Sequence, residues 1–269
     1  MVSQQEKCEQ FAHLHAEEGG FIIPNPWDAG SAKVLQSLGF KALATTSAGF
    51  AFTVAKTDGQ ISLEDKLAHC RSLCEVTDIP INADFENGFA DDPQAVYNNV
   101  IKVAATGVAG CSIEDFSRDQ NTIYDITLAV ERMQAAVEAV RSLGMPFQLT
   151  ARAENLLRGV NDLDNTIARL KAFEKVGADV LYAPGIRSLD ELRQVTNELE
   201  KPFNVLGVFM PTATVDEFIE AGAKRISVGG ALTWACIKPL LDAGREMLEQ
   251  GSFGWTKQMA KGAEVKQLL

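Results

Sequence analysis

Short apolar runs and longer amphipathic stretches alternate along this chain from Phe21 onward. The runs cover residues 21–24, 42–46, 80–84, 110–113, 147–150, 179–182, 203–206 and 224–228, each short and β-prone. Between them, apolar positions recur at helical spacing over residues 29–38, from about 62 onward, and over 93–106, 127–143, 163–176, 189–199, 214–221 and 231–250. Strands that alternate with helices in this way predict parallel pairing through right-handed crossovers. Gly39, Gly107, Gly144, Gly177 and Gly222 each precede a strand, where a helix needs its C-terminal cap. Eight such units predict a (β/α)8 TIM barrel. A doubly wound open sheet is the alternative, but no G-x-G-x-x-G follows the first strand.

The 269 residues are read as one barrel domain, 1–269, with 252–269 as a C-terminal helical extension. Phe253, Trp255, Met259, Val265 and Leu268 give that extension an apolar face. Two long loops interrupt the regular spacing, one after the second strand and one after the fourth. Hydrophobic residues make up 46% of the chain, yet no apolar run approaches a membrane span. The first residues lack the form of a signal peptide, so a cytoplasmic location is expected. A net charge of -11 speaks against nucleic acid as a partner. Five scattered cysteines predict reduced thiols, and Cys70 with Cys74 fits helix packing better than an incomplete zinc site.

Strand ends carry the chemistry of such a barrel. Here they hold Asn25, Trp27 and Asp28; Thr46, Ser47, Ala48 and Gly49; Asp84 and Glu86; Glu114 and Asp115; Arg152 and Glu154; Pro184; Asn204 one turn lower; Gly229 and Gly230. Asp84 and Glu86, two residues apart where a strand ends, share a face of the extended chain, so both carboxylates are expected to project the same way. Like charges held that close call for a cation, and all-oxygen ligands suit magnesium better than zinc. A solvated acidic turn is the bland reading of one D-x-E. Acids gathered at several strand ends favour a metal site, with Asp58 near enough in its long loop to join.

These residues also carry a resemblance. Asn25-Pro26-Trp27-Asp28, Thr46-Ser47-Ala48-Gly49-Phe50, Asp58-Gly59, Asp84-Phe85-Glu86-Asn87-Gly88-Phe89, the run from Gly107 to Asp115 and Ala151-Arg152-Ala153-Glu154 stand in the order found in one family. From about Phe21 onward the chain resembles the isocitrate lyase / phosphoenolpyruvate mutase superfamily. The resemblance implies a TIM barrel, Mg2+ (or Mn2+) and a small 2-oxo acid or related carboxylate as substrate. It implies Asp84 as direct metal ligand, with Glu86, Glu114 and Asp58 holding the metal's waters. Glu86 stands where the family more often has aspartate. Arg152 would grip a substrate carboxylate, and Thr46, Ser47, Ala48 and Gly49 would offer backbone N–H groups. Trp27 and Asn204 complete the candidate substrate contacts. The resemblance further implies a homo-oligomer, dimer or tetramer, that exchanges its last helix between subunits.

One departure bears on the reaction. Family lyases acting on isocitrate carry a Lys-Lys/Arg-Cys-Gly-His loop after the fourth strand, and the phosphonate mutases carry a lysine there. Residues 116–125 read Phe-Ser-Arg-Asp-Gln-Asn-Thr-Ile-Tyr-Asp, with neither thiol nor lysine. The expected activity is therefore Mg2+-dependent C–C cleavage of a 2-oxo or 2-hydroxy di- or tricarboxylate through a stabilised enolate. Arg152 is the catalytic anchor, and Asp58, Tyr124 or Asp125 are the candidate bases. P–C chemistry on phosphonopyruvate or phosphoenolpyruvate is the enzymatic alternative, and a barrel that only binds 2-oxo acids is the non-catalytic one. Because the loop lacks a thiol, iodoacetamide is expected to leave turnover intact; rapid inactivation prevented by substrate would show a working cysteine.

Overall fold

Eight of the ten strands build one parallel sheet, as the alternating pattern predicts. They are β1 (Phe21–Ile23), β2 (Leu43–Ala44), β3 (Ile81–Asp84), β4 (Gly110–Glu114), β7 (Gln148–Arg152), β8 (Val180–Tyr182), β9 (Phe203–Leu206) and β10 (Arg225–Ser227). The other two, β5 (Phe116–Ser117) and β6 (Thr122–Ile123), pair antiparallel as a hairpin in the loop after β4. This computed structural model describes residues 2–269. The sheet order is β1-β10-β9-β8-β7-β4-β3-β2, every pair parallel. Between β1 and β2 no ladder forms. The seam is held by the Ala44 amide donating to the Pro24 carbonyl (3.0 Å) and by Asn25 Nδ2 donating to the Thr45 carbonyl (3.1 Å). The result is a nearly closed TIM-type barrel.

The helices begin where polar caps allow them to. Ser62, Asp92, Asp162 and Ser188 each accept a hydrogen bond from the third residue of the helix that follows, a device worth ~1 kcal/mol each. Gly177 ends one helix at φ 107, the left-handed cap expected of the glycines before strands. Between barrel and helices lies an apolar layer that includes Leu43, Phe85, Ile113, Leu149, Phe173 and Phe203, all essentially buried.

Four features depart from the sequence-based expectation. A helix, Gln4–Ala16, precedes the barrel and places Phe11 and His15 against Phe21 at the N-terminal end of β1. Its outer face is almost wholly polar, which hides its periodicity. Ser47–Thr53 is helical within the first long loop, and the second long loop holds the β5–β6 hairpin. The C-terminal extension is not one helix but a 3-10 turn, Gly254–Gln258, and a short helix, Gly262–Leu268. Its end meets the same chain's helix Ala29–Ser37, where Ser37 Oγ donates to the Leu268 carbonyl (2.7 Å). No described helix is long and apolar enough to cross a membrane.

His15 shows what burial does to the base of the barrel. Its Nδ1 lies 2.7 Å from the Phe11 carbonyl and its Nε2 3.4 Å from Arg225 Nη1. Burial first, and then the Arg225 charge, push its pKa down to about 3. The unfolded chain protonates this group near pH 6.5, so between about 6.5 and 3 the unfolded state binds the extra proton and folding weakens as pH falls. His15→Gln removes that penalty but also the packing. Its melting temperature is expected to lie below wild type at pH 8, with the gap narrowing steadily toward pH 4. A gap that is constant with pH would contradict a neutral His15.

Candidate active site

Three neighbouring strands, β3, β4 and β7, deliver charged groups to one side of the barrel mouth, and the end of β2 adds neutral donors and acceptors. Asp84 ends β3. One of its oxygens accepts from Arg152 Nη1 (2.7 Å) and the other from the Ser47 amide (2.9 Å). The Asp84 amide donates to Thr45 Oγ1 (2.8 Å), which also accepts from Lys66 Nζ (2.9 Å). Burial works against ionisation of Asp84, but Arg152 and then Lys66 outweigh it and hold the carboxyl below its ordinary range.

Glu86 reaches the same cluster by a route the extended-chain expectation does not describe. Its φ is 49, so the chain has already turned left-handed after the strand, and the two acids do not share a strand face. The turn is tied to β4, where the Glu114 amide donates to the Glu86 carbonyl (2.8 Å). Glu86 Oε2 lies 2.9 Å from Arg118 Nε, while Oε1 is buried without a partner. Burial raises its pKa to about 7. Glu114 ends β4 and is fully buried; burial, and then the neighbouring Glu154, push it upward as well. Its charge is met by Arg152 Nη2 (3.1 Å), Arg118 Nη2 (3.3 Å) and Arg158 Nη2 (3.6 Å).

Arg152, at the end of β7, is the hub of this wall. Besides Asp84 and Glu114 it meets Glu154, with Nε at 3.1 Å and Nη2 at 2.6 Å from Oε1. Arg158 Nη2 takes the other Glu154 oxygen at 3.2 Å and stacks its guanidinium 3.8 Å from the centre of the Phe116 ring. Asp58 joins through Arg118 Nη1 (3.3 Å). Among the described residues, no three acid, histidine or cysteine side chains converge closely enough to hold a metal ion as they stand. The guanidiniums of Arg118 and Arg152 lie between them.

A cavity of about 140 Å³ opens beside this wall. Arg152, Asp84, Thr46, Ser47, Ala48 and Asn204 are among the residues that line it. Asn204 belongs to its far wall, with both ends of its amide engaged by Ser227 Oγ (3.0 Å) and Arg225 Nε (2.8 Å). Asn25 Oδ1 accepts from the amides of Val228 and Gly229 (2.9 Å each) and ties the seam strand to the last βα loop. Trp27 and Gly49 stand behind the lining. A Cβ at Gly49 would come within 2.9 Å of Trp27 Cβ, so the loop seats tightly on that side chain. Thr46 caps the Ser47–Thr53 helix, accepting from the Gly49 amide (3.2 Å). Of the candidate N–H groups, those of Ser47 and Gly49 are thus engaged within the protein.

Tyr124 is placed elsewhere. It is buried outside the cavity, its hydroxyl donating to Asp91 and accepting from Asn87 Nδ2 (2.9 Å), and burial raises its pKa to about 12. Asp125 caps the next helix at the surface. Asp115 holds the Glu154 amide (2.8 Å) and Arg169 (3.0 Å), so it braces the wall rather than facing the cavity. Sequence reasoning named Glu154 among the strand-end acids without giving it a role, and passed over Arg158, Lys66 and Asp91. Arg158 lies four residues after Glu154, a spacing that could have marked it. Nothing local marks Lys66 or Asp91.

An arginine-anchored acid wall beside a small polar cavity, at the C-terminal end of a parallel barrel, defines a barrel enzyme of carboxylate chemistry. The chain belongs to the phosphoenolpyruvate phosphomutase family, whose model matches residues 11–248. A solved structure from Burkholderia cenocepacia J2315, described provisionally as a lyase/mutase, is 45% identical and covers 98% of this chain and 95% of its own, with a TM-score of 0.94. An oxaloacetate decarboxylase of Pseudomonas fluorescens is 25% identical over 254 residues, 91% of this chain and 86% of its own. The structure of 2,3-dimethylmalate lyase, a PEP mutase/isocitrate lyase superfamily member, is 26% identical and covers all of this chain and 95% of its own, with a TM-score of 0.86.

Asp91 generates the local test. It accepts from Ser117 Oγ (3.1 Å), Gln120 Nε2 (3.1 Å) and Tyr124, and so pins the hairpin from below. Hydrogen bonds to a charged group are worth about 1.5–3 kcal/mol. Asp91→Ala is expected to raise amide hydrogen exchange across residues 116–124 by at least about tenfold, with β3, β4 and β7 unchanged. Equal protection of the hairpin in both proteins would remove Asp91 from this role.

Proposed function

We propose that this protein is a divalent-metal-dependent lyase (or hydrolase) that cleaves a C–C bond in a small 2-oxo or 2-hydroxy dicarboxylate. The observation that carries the reading is Arg152, a largely but not fully buried guanidinium lining the cavity and flanked by Asp84, Glu114 and Glu154. A cavity of about 140 Å³ suits a small acid of about four to six carbons. The oxaloacetate decarboxylase and 2,3-dimethylmalate lyase among the relatives support substrates of that size.

The donor set fits a hard cation. Every candidate ligand is a carboxylate oxygen, and Glu86 Oε1 is buried with no partner of its own. Asp84, Glu86 and Glu114 would hold Mg2+ or Mn2+, with Asp58 at the rim. When bound, the cation supplies Lewis acidity for the negative charge that develops on the 2-oxo oxygen. The chain's residues do the rest. Arg152 Nη1 donates one N–H to Asp84 and keeps a second for a substrate carboxylate. The Ser47 amide and Arg152 fix Asp84 from both sides. In a decarboxylation the bond to the departing carboxylate breaks, CO2 leaves, its electron pair passes toward the 2-oxo oxygen, and a proton later returns to carbon. Asp58 is the base we assign where a 2-hydroxy acid must first lose a proton. Tyr124, held by Asp91 and Asn87, supports the hairpin instead.

The phosphomutase family match favours P–C chemistry as the second reading. Exposed Leu240, Leu248, Phe253 and Met259 support an assembly in which a second copy covers the last helices, by exchange or by packing. The test is a panel of oxaloacetate, alkylated malates, phosphonopyruvate and phosphoenolpyruvate, each with Mg2+, Mn2+ or EDTA. Turnover of the diacids is expected, abolished by EDTA and restored by Mg2+, with Arg152→Lys lowering kcat/KM at least about a hundredfold. Turnover of the phosphonates alone would establish the second reading. Full rate in EDTA would refute the metal, and ligand binding without turnover would leave a binding barrel.

A further inference from the structure

The acid wall holds a cation of its own. Arg118, at the tip of the β5–β6 hairpin, enters the cluster and pairs with Asp58 (3.3 Å), Glu86 (2.9 Å) and Glu114 (3.3 Å). Three of the four acids proposed for the metal are thus met by one side chain from a loop. The seat for that side chain is built: a Cβ on Gly59, at φ 85, would come within 2.6 Å of Arg118 Nη1 and 3.1 Å of Cδ. Only a residue without a side chain lets the guanidinium lie there.

Charge balance argues for exchange rather than coexistence. Asp58, Asp84, Glu86, Glu114 and Glu154 face Arg118, Arg152 and Arg158 in direct pairs, with Lys66 acting on Asp84 from close by. With every group ionised, Arg118 in place leaves the wall one negative charge in excess. A divalent cation in its stead brings the wall to neutrality, and both together would leave it positive in a buried setting where excess charge is costly.

We propose that Arg118 is the resident counter-cation of this wall and that the divalent cation takes its place, so that metal entry drives the hairpin tip out of the acid cluster. This rests on the metal reading above. Asp91 holds the hairpin through Ser117 and Tyr124 at its base and Gln120 in the turn, while the side chains of Arg118 and Asp119 are free of that anchor, so Arg118 can leave the cluster with the base still held.

The test reads Arg118 directly. Phenylglyoxal labelling, followed by peptide mass spectrometry, is compared in the full-length protein with and without Mg2+, using Arg169, paired with Asp115, as internal reference. Mg2+ is expected to speed labelling of Arg118 at least about tenfold and to leave Arg169 unchanged. In calorimetric titration Arg118→Gln is expected to bind Mg2+ at least about tenfold more tightly than wild type. Metal bound by wild type with Arg118 labelling unchanged or slowed would overturn the exchange alone, as would an Arg118→Gln variant that binds no more tightly. No Mg2+ bound by either protein would overturn the metal reading together with it.

Discussion

Burying carboxylates is the constraint from which the rest of this barrel mouth follows. Glu86, Glu114 and Glu154 are almost wholly removed from water, and Asp84 is mostly so. A buried carboxylate without a partner is costly enough that it takes up a proton or finds a cation. The chain recruits guanidiniums from three directions: Arg152 from a strand, Arg158 from the turn behind it and Arg118 from the hairpin above. Lys66 approaches from the helix outside the barrel and acts through Thr45. Each cation arrives on a different element, so the wall exists only when the whole βα arrangement is in place.

The barrel itself was legible in the sequence because hydrophobic periodicity responds to the same force that folds it. Each short apolar run became a strand, and most predicted helix starts coincide with a capping side chain. The Gln4–Ala16 helix escaped because it buries a narrow face, chiefly Lys7, Cys8, Phe11 and His15, under a polar exterior. The hairpin escaped because two-residue strands leave no period to read. The placing of Asp84, Glu114 and Arg152 at the barrel mouth was legible because strand ends are predictable. The turn at Glu86 was not, since a positive φ at a glutamate has no signature in composition. Arg118 could be named in the sequence but not placed, because its position depends on how a loop folds over acids from three other segments.

Tyr124 illustrates the same limit from the other side. Its place in the loop made it a candidate base, yet its hydroxyl faces away from the cavity, toward Asp91 and Asn87. The deciding group, Asp91, lies 33 residues earlier in the chain, just beyond β3. Arg132 reinforces this layer, its guanidinium 4.0 Å over the Tyr124 ring and its Nη2 donating to the Ala90 carbonyl at 2.8 Å. The loop's shape is therefore set by groups beneath it.

The acidic groups all stand on β3, β4 and the segments beside them, with Arg152 on β7, while Asn204, Arg225, Ser227 and Gly229 form the opposite side of the cavity from β9, β10 and the loop that follows. The barrel mouth is thus two half-sites of different character, one crowded with paired charges and one mainly steric, with Arg225 its single charged group among Asn204, Ser227 and Gly229. Substitutions on the steric half change the shape of the acid that fits without disturbing the charge balance of the other. Such a division lets one barrel be re-tooled for a series of related acids, its reactive half held constant while its template half is recut.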